Sequence, residues 1–473
     1  MTGVLLAGVD VGTTNTKVGL YDGAGTSVVL SRFATPDDAD ALVAAVCESL
    51  ACCVDSAGRR PDAVGIASMA ETGVPLDSRR RPLRPMVRWD DPRGAAEAAG
   101  IASDVGAATL FAVSGANLGV KTPLVRWRWL ARHEPETFAA MRAWVGAADL
   151  IATALTGEPV TDPTLAARTG GYDTRRGQYH DGLLAAADMT ADRLPRVVGS
   201  GAVAGAVTSA AADRSGLRAG TPVVVAGHDH LVGAYAAGVR RPGEVADSLG
   251  TAEAVITVAE QPPPETAAAA GMSYNRTADG RHWCLLSGLP GAGRLVDWCR
   301  DNLLGKAYQA FTTLADEAPD RPTGIIVEPY LMGRAAPAPD AGRRLAIHGV
   351  EGRHTAADIA YAVLEGLCFQ ARWVVDAHTD VSGARPHRVA VFGGPTRNQA
   401  WLAAKADIFG AQVSVAPDPD AVCAGAALLA GRAAGVTPDE PVLPSVALTQ
   451  HPQRAERYTQ TYREGFLPVV RGR

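Results

Sequence analysis

Apolar residues run from Val4 to Asp10 and stop at Gly-Thr-Thr-Asn. They resume in alternation from Lys17 to Tyr21, pause at Asp22-Gly23 and return from Ser27 to Leu30. Gly, Asn and Asp between the runs supply turn geometry, so the pattern predicts three strands joined by two tight turns. Ala39–Cys53 carries apolar residues at helical spacing, and Val64–Ser68 suits a short buried strand. A helical stretch is expected over Thr122–Leu155, broken only around Pro135. A further apolar strand, Thr221–Ala226, leads into Gly227-His228-Asp229-His230.

The pattern then starts again. Glu244–Leu249 is strand-like, Gly250-Thr251-Ala252 is a turn, and Ala254–Val258 alternates. Asp10-Val-Gly-Thr13 and Asp247-Ser-Leu-Gly-Thr251 both end a strand on an acidic residue, turn on Gly-Thr and return as an apolar strand. This reads as a divergent repeat with one phosphate hairpin opening each half. A helix Thr355–His378, a strand Arg388–Phe392, Gly393-Gly394, a helix Asn398–Phe409, a strand Gln412–Val415 and a small-residue helix Ala424–Ala434 follow. Strands alternating with helices around glycine turns indicate α/β domains. The boundary is expected near Gly233–Arg241, dividing residues 1–236 from 237–473, with a catalytic cleft between two lobes. Gln261–Ala270, with its three prolines, reads as a surface loop without an assigned role.

Composition narrows the function. At 473 residues the chain is long for one core, and 20% charged against 47% apolar residues is an ordinary globular balance. A net charge of −5 without clustered Lys and Arg gives no footprint for nucleic acid. The first apolar run stops at Asp10, too early for a signal peptide or a membrane span, so a cytoplasmic protein with no membrane partner is expected. Seven scattered cysteines without a C-x-x-C pair read as reduced thiols, with no zinc site.

A phosphoryl-transfer site surrounds a triphosphate with hydrogen-bond donors and gives a metal oxygen ligands. Gly12, Thr13, Thr14 and Asn15 offer backbone and hydroxyl donors, Lys17 a point charge, and Asp10 a carboxylate suited to Mg²⁺ through water. Gly250 and Thr251 repeat the turn. Neither the Walker A nor the Rossmann spacing is present.

With those turns, Trp89-Asp-Asp-Pro-Arg93, Gly157-Glu-Pro-Val-Thr-Asp162, Ala226–Asp229, Pro329-Tyr-Leu-Met-Gly333, Gly393-Gly394 and Ala424-Gly-Ala-Ala427 occur in order. In this the chain resembles the FGGY carbohydrate kinases of the actin-like ATPase superfamily, over nearly its whole length. The resemblance implies two actin-like (ribonuclease H-like) domains, an N-terminal one for sugar and base and a C-terminal one for nucleotide. It implies transfer from MgATP to a hydroxyl of a small sugar, with Asp229 as the catalytic base. Met69, Glu71, Trp89, Asp90, Arg93 and His228 become the candidates that grip the sugar beside Asp229, and Gly393, Gly394 and Asn398 those for adenosine. Ala424–Ala427 makes a helix slim enough to pack against the nucleotide wall.

His228 and His230 have a spacing open to metal ligands, but no third partner is evident in the sequence, so one is expected to orient Asp229 or a sugar hydroxyl and the other to pack. Histidine directly before the aspartate resembles the fuculokinase and rhamnulokinase branches. Glycerol kinases carry Arg, and many xylulokinases His, before the position of Glu71; Ala70 here argues against glycerol and weakens xylulose. A pentulose or hexulose of the xylulose or fuculose type is the expected substrate, with a polyol or gluconate as the alternative. A non-catalytic actin-like nucleotide-binding module is the competing class, and Asp229 with the Trp89–Arg93 segment speaks against it. The frequency of symmetric pairs among soluble enzymes favours a homodimer.

Overall fold

The first hairpin forms where the alternation places it. In the computed structural model, which describes residues 3–304, 313, 315–317, 321–416, 420–438 and 440–472, β1 (Leu5–Val11) pairs antiparallel with β2 (Asn15–Asp22), Asp10 facing Lys17. β3 (Ser27–Ala34) continues antiparallel. α1 (Ala39–Ala57) begins on Asp38, whose carboxylate accepts Ala41 N at 2.8 Å, and ends on left-handed Gly58. It returns the chain to β4 (Ala63–Ser68), which lies parallel to β1 as a helical crossover requires.

The described chain divides into two compact units, neither a single stretch. The first holds residues 1–238 together with Ser273–Trp283 and Ala421–Leu443; the second holds Val239–Met272, Cys284–Asp420 and Pro444–Arg473. Two later segments thus fold with the N-terminal unit, where the sequence had suggested a plain division after residue 236. In the first unit the sheet runs Gly205–Ala206, Pro222–His228, β4, β1, β2, β3. In the second the strands lie in the order Trp283–Leu289, Glu253–Ala259, Glu244–Leu249, Arg388–Phe392, Gln412–Val415, Val446–Ala447. Here too an antiparallel hairpin is followed by parallel neighbours. Helix Ala356–Ser382, opened by a capping box of Thr355 and Asp358, buries Tyr361, Leu364, Leu367, Phe369 and Val374 in the core of that unit.

One expectation fails for an identifiable reason. The stretch Thr122–Leu155 is not helix throughout: helices Pro123–His133 and Pro135–Ala140 precede a strand, Ala143–Gly146, before helix Ala147–Thr156. Trp144 and Val145 are buried because that strand pairs with Gly73–Leu76, a partner some seventy positions away that no local period could announce. The small-residue helix, Ala421–Ala433, packs on β1 and β4 of the first unit, a close helix–sheet contact. Its backbone lies directly on the sheet: a Cβ added to Gly8 would stand 2.0 Å from the Cys423 carbonyl oxygen, and one on Gly65 1.8 Å from that of Ala426. Glycine on the strands and small residues on the helix are what permit this contact.

Among the described residues no single helix is long and apolar enough to cross a membrane. Gly65→Ala is expected to lower the thermal midpoint by the equivalent of about 1–3 kcal/mol or more, since a carbonyl fills the space its methyl needs. Gly119→Ala in the same unit, with nothing within 4 Å of the added carbon, should leave it within about 0.5 kcal/mol. Paired melting curves check the contrast.

Candidate active site

Three parallel neighbours end together. Val11 on β1, Ser68 on β4 and His228 on Pro222–His228 lie in one row across the sheet. Ligands of open α/β sheets gather beyond such strand ends. The row carries most of the expected residues of the first unit.

Beyond β1, Gly12 N donates to Asn15 O at 3.1 Å and closes the turn. Thr35 braces it, its N–H on Thr14 O at 3.0 Å and its hydroxyl on Gly12 O at 2.8 Å. Thr14 and Asn15 are exposed at the tip. Asp10 is buried at 6% exposure, with Lys17 Nζ 3.5 Å from Oδ2. The Thr13 hydroxyl accepts the indole N–H of Trp89 at 2.9 Å, and Trp89 N donates to Thr72 Oγ1 at 3.1 Å. A residue expected on phosphate and one expected on sugar are therefore bonded to each other.

Beyond β4, Met69 N donates to Val11 O at 2.9 Å. Glu71 sits at φ 64°, a left-handed backbone uncommon outside glycine. Burial alone would raise its carboxyl, but Arg168, Lys121 and His228 together hold it down at about 2. Arg168 donates through Nε at 3.0 Å and through Nη2, and Lys121 Nζ lies 3.6 Å away. Arg168 and Lys121 were not expected; their pairing with Glu71 spans residues far apart in sequence and leaves no local trace. Asp90 and Arg93 take other partners: Asp90 accepts from Arg88 at 3.0 Å, while Arg93 pairs with Asp91 and lies 4.3 Å from the Trp129 ring. Buried Arg126 donates to the Asp91 and Arg93 carbonyls and fixes that loop.

The third strand is irregular where it matters. The register of its pairing with β4 shifts between Val225 and Gly227. His228 N donates to Thr164 Oγ1 at 2.9 Å, and that hydroxyl donates to Asp162 Oδ1 at 2.7 Å. Asp162 also caps helix Pro163–Arg168 by accepting Leu165 N at 2.9 Å. Burial raises its carboxyl to about 6. Asp229 opens helix Asp229–Ala236 with a side chain 21% exposed; Oδ1 accepts His230 N at 2.7 Å and lies 3.3 Å from His228 Nε2. Burial pulls the His228 imidazole down to about 4 against the opposing pull of Asp229, so it is neutral near pH 7. Behind Glu71 a small cavity is lined by Ser68, Met69, Thr72, Asp149 and Thr161.

In the second unit, Gly250 and Thr251 form a turn with Thr251 exposed, and Thr251 O accepts Arg294 N at 3.3 Å. Gly393 takes φ 108°, and a Cβ there would meet Leu249 O at 2.1 Å, so only glycine fits. Gly394 follows with open space around it. Asn398, the candidate for adenosine, opens helix Gln399–Ile408. Its side chain is fully buried, with Oδ1 accepting Trp401 N at 3.0 Å as a helix cap and Nδ2 left unpartnered. Asp247, the counterpart of Asp10 in the second hairpin, lies in the core. It is fully buried, with Lys405 Nζ at 2.5 Å, and Lys405 reaches Glu253 at 2.7 Å.

The model of the N-terminal domain of the FGGY family of carbohydrate kinases matches residues 5–236, and that of the C-terminal domain residues 245–434. The chain belongs to the FGGY family of carbohydrate kinases. This FGGY kinase is 24% identical over 457 residues to a gluconokinase of Bacillus licheniformis, covering 92% of this chain and 88% of that one. It is 29% identical over 413 residues to a xylulose kinase of Escherichia coli strain K12, covering 85% and 83%. A solved xylulose kinase from Rhodospirillum rubrum superposes with a TM-score of 0.87 at 27% identity, covering 97% of each chain.

Two outcomes are expected of this geometry. Thr13→Val and Trp89→Phe each remove the 2.9 Å bond, so in a double-mutant cycle on kcat/KM they should couple by about 1 kcal/mol, roughly fivefold. The second concerns Asp149, whose carboxyl burial raises to about 7 and whose Oδ1 has no partner. Unfolded, the carboxyl ionises in the ordinary carboxylate range, so its burial carries a stability cost that grows as pH rises from there to about 7 and is constant above. Asp149→Asn should therefore gain thermal stability relative to the parent as pH rises from 5.5 to 8.5, measured by melting curves across that range.

Proposed function

We propose that this FGGY kinase transfers the γ-phosphoryl group of MgATP to a hydroxyl of a pentulose or hexulose, with Asp229 as the base. The observation that carries this is a strand-end carboxylate, partly exposed and held from behind by the Thr164–His228 backbone bond. The substrate hydroxyl would give its proton to Asp229 as its oxygen attacks the γ-phosphorus in line and ADP leaves, giving sugar phosphate, ADP and one proton passed on to solvent. Mg²⁺ bound with the nucleotide would neutralise charge on the phosphates. Asp10, kept by Lys17, is the carboxylate suited to its water shell.

The turn Gly12–Asn15 with Lys17, and the turn Gly250-Thr251, would hold phosphates through backbone N–H groups. Gly393 and Gly394 would take adenosine at close backbone approach. Glu71, ionised and fixed by Arg168, would accept sugar hydroxyls, while Met69 and Trp89 wall the pocket. His228, neutral in the working range, would orient Asp229. Relatives named as xylulose kinases, 23–29% identical, support a ketose, and the gluconokinases at 24% support gluconate as the alternative. A cytoplasmic homodimer belongs to the same reading.

ADP release measured across pentuloses, hexuloses, 6-deoxyketoses, polyols and gluconate tests the substrate. A ketose is expected to raise turnover most; gluconate in first place would replace the ketose reading. Asp229→Asn should lower transfer by about 10²-fold or more with ATP binding unchanged by calorimetry, and retained turnover would remove Asp229 from the role of base.

A further inference from the structure

The sequence offers two histidines without an evident third ligand, and the fold supplies one. His228, Asp229 and His230 bring one donor atom each within 4.8 Å of one another. His228 Nε2 and Asp229 Oδ1 are 3.3 Å apart. Two ligands of a tetrahedral ion with bonds of ~2.1 Å stand about 3.4 Å apart, so this pair already has the required separation. The donor of His230 lies within 4.8 Å of both.

We propose that these three residues bind a borderline divalent ion, Zn²⁺ or Co²⁺, and that the bound ion blocks phosphoryl transfer by occupying the carboxylate. The second half rests on the reading of Asp229 as the base. Two imidazoles and a carboxylate are a donor set for such ions and a poor one for Mg²⁺, which prefers all-oxygen octahedra. Millimolar Mg²⁺ supplied with ATP therefore leaves the site to a softer metal. The support is rigid: the His228 backbone is fixed on Thr164. The His228 ring is 8% exposed, and its Nε2 already faces the carboxylate. Asp229 and His230 are only half-buried, which leaves water access to a fourth position. The two rings meet edge to face at 5.4 Å and 79°, a geometry that does not shut the space between them.

The test uses the full chain with Co²⁺ as a spectroscopic probe and Zn²⁺ as the inhibitor. Visible absorption on Co²⁺ titration is expected to reveal one ion bound by the parent protein. His230→Gln and, separately, His228→Gln should weaken binding at least about tenfold, because even an outer partner of a metal site is worth that much. In parallel, ADP is measured directly at saturating MgATP and sugar. Zn²⁺ should inhibit the parent, and His230→Gln should need at least about tenfold more of it, each variant being compared with its own metal-free rate. No bound Co²⁺ in the parent, or binding by both histidine variants as tight as the parent's, overturns the site. Equal inhibition of parent and His230→Gln overturns the blockade and assigns the effect to metal on the nucleotide. Binding that His230→Gln abolishes, together with undiminished turnover of the loaded parent, keeps the site but overturns both the blockade and Asp229 as base.

Discussion

Three neighbouring parallel strands must end at the same level for Asp10, Met69 and Asp229 to act from one edge of a sheet. The alignment of Val11, Ser68 and His228 meets that condition. It depends on β1 and β4 being pressed against one helix through Gly8 and Gly65, where strand and helix backbones touch without intervening side chains. That helix, Ala421–Ala433, comes from the far end of the chain, so the N-terminal unit is complete only once most of the sequence is available. The contact is made of glycine and alanine because nothing larger fits, and the chemistry at the strand ends inherits its precision from that fit.

Given the frame, the fate of each buried carboxylate follows from its partners. Glu71 is surrounded by Arg168, Lys121 and His228 and stays ionised despite burial. Asp149 and Asp162 have only neutral donors, and burial raises both. Glu253 is buried between Asp247 and Lys405, where one ammonium faces two carboxyls; burial and the neighbouring Asp247 push Glu253 upward. Position relative to cations, more than depth, separates a carboxylate fit to bind a substrate from one fit to cap a helix.

What was legible in the sequence was local. The Gly-Thr-Thr-Asn turn, the capped helix α1 and the hairpin Glu244–Ala259 are fixed by neighbours in the chain, and their residues declared them. What failed was non-local. The strand at Trp144 owes its form to Gly73–Leu76, and the ion pair of Glu71 with Arg168 to a helix that Asp162 caps. Helical spacing identified Ala421–Ala433 as a helix but carried nothing about which sheet it would cover. Asn398 shows a subtler ambiguity: a polar side chain at a helix start serves equally as cap or as ligand contact, and here it caps the helix while fully buried. The Thr13–Trp89 bond joins two residues that had been assigned to different ligands, a link no spacing encodes.

The two hairpins show how far a repeat preserves chemistry. Both end a strand on aspartate, turn on Gly-Thr and return antiparallel, so the backbone that can cradle phosphate is kept twice. The aspartates have parted. Asp10 retains slight exposure beside Lys17, which is itself partly solvated, and so can still offer oxygen to a hydrated ion. Asp247 is sealed against a lysine with no exposure, and breaking such a pair would strand a charge at a cost of about 3–5 kcal/mol. The cation that holds Asp247 in the core is Lys405, packed from helix Gln399–Ile408.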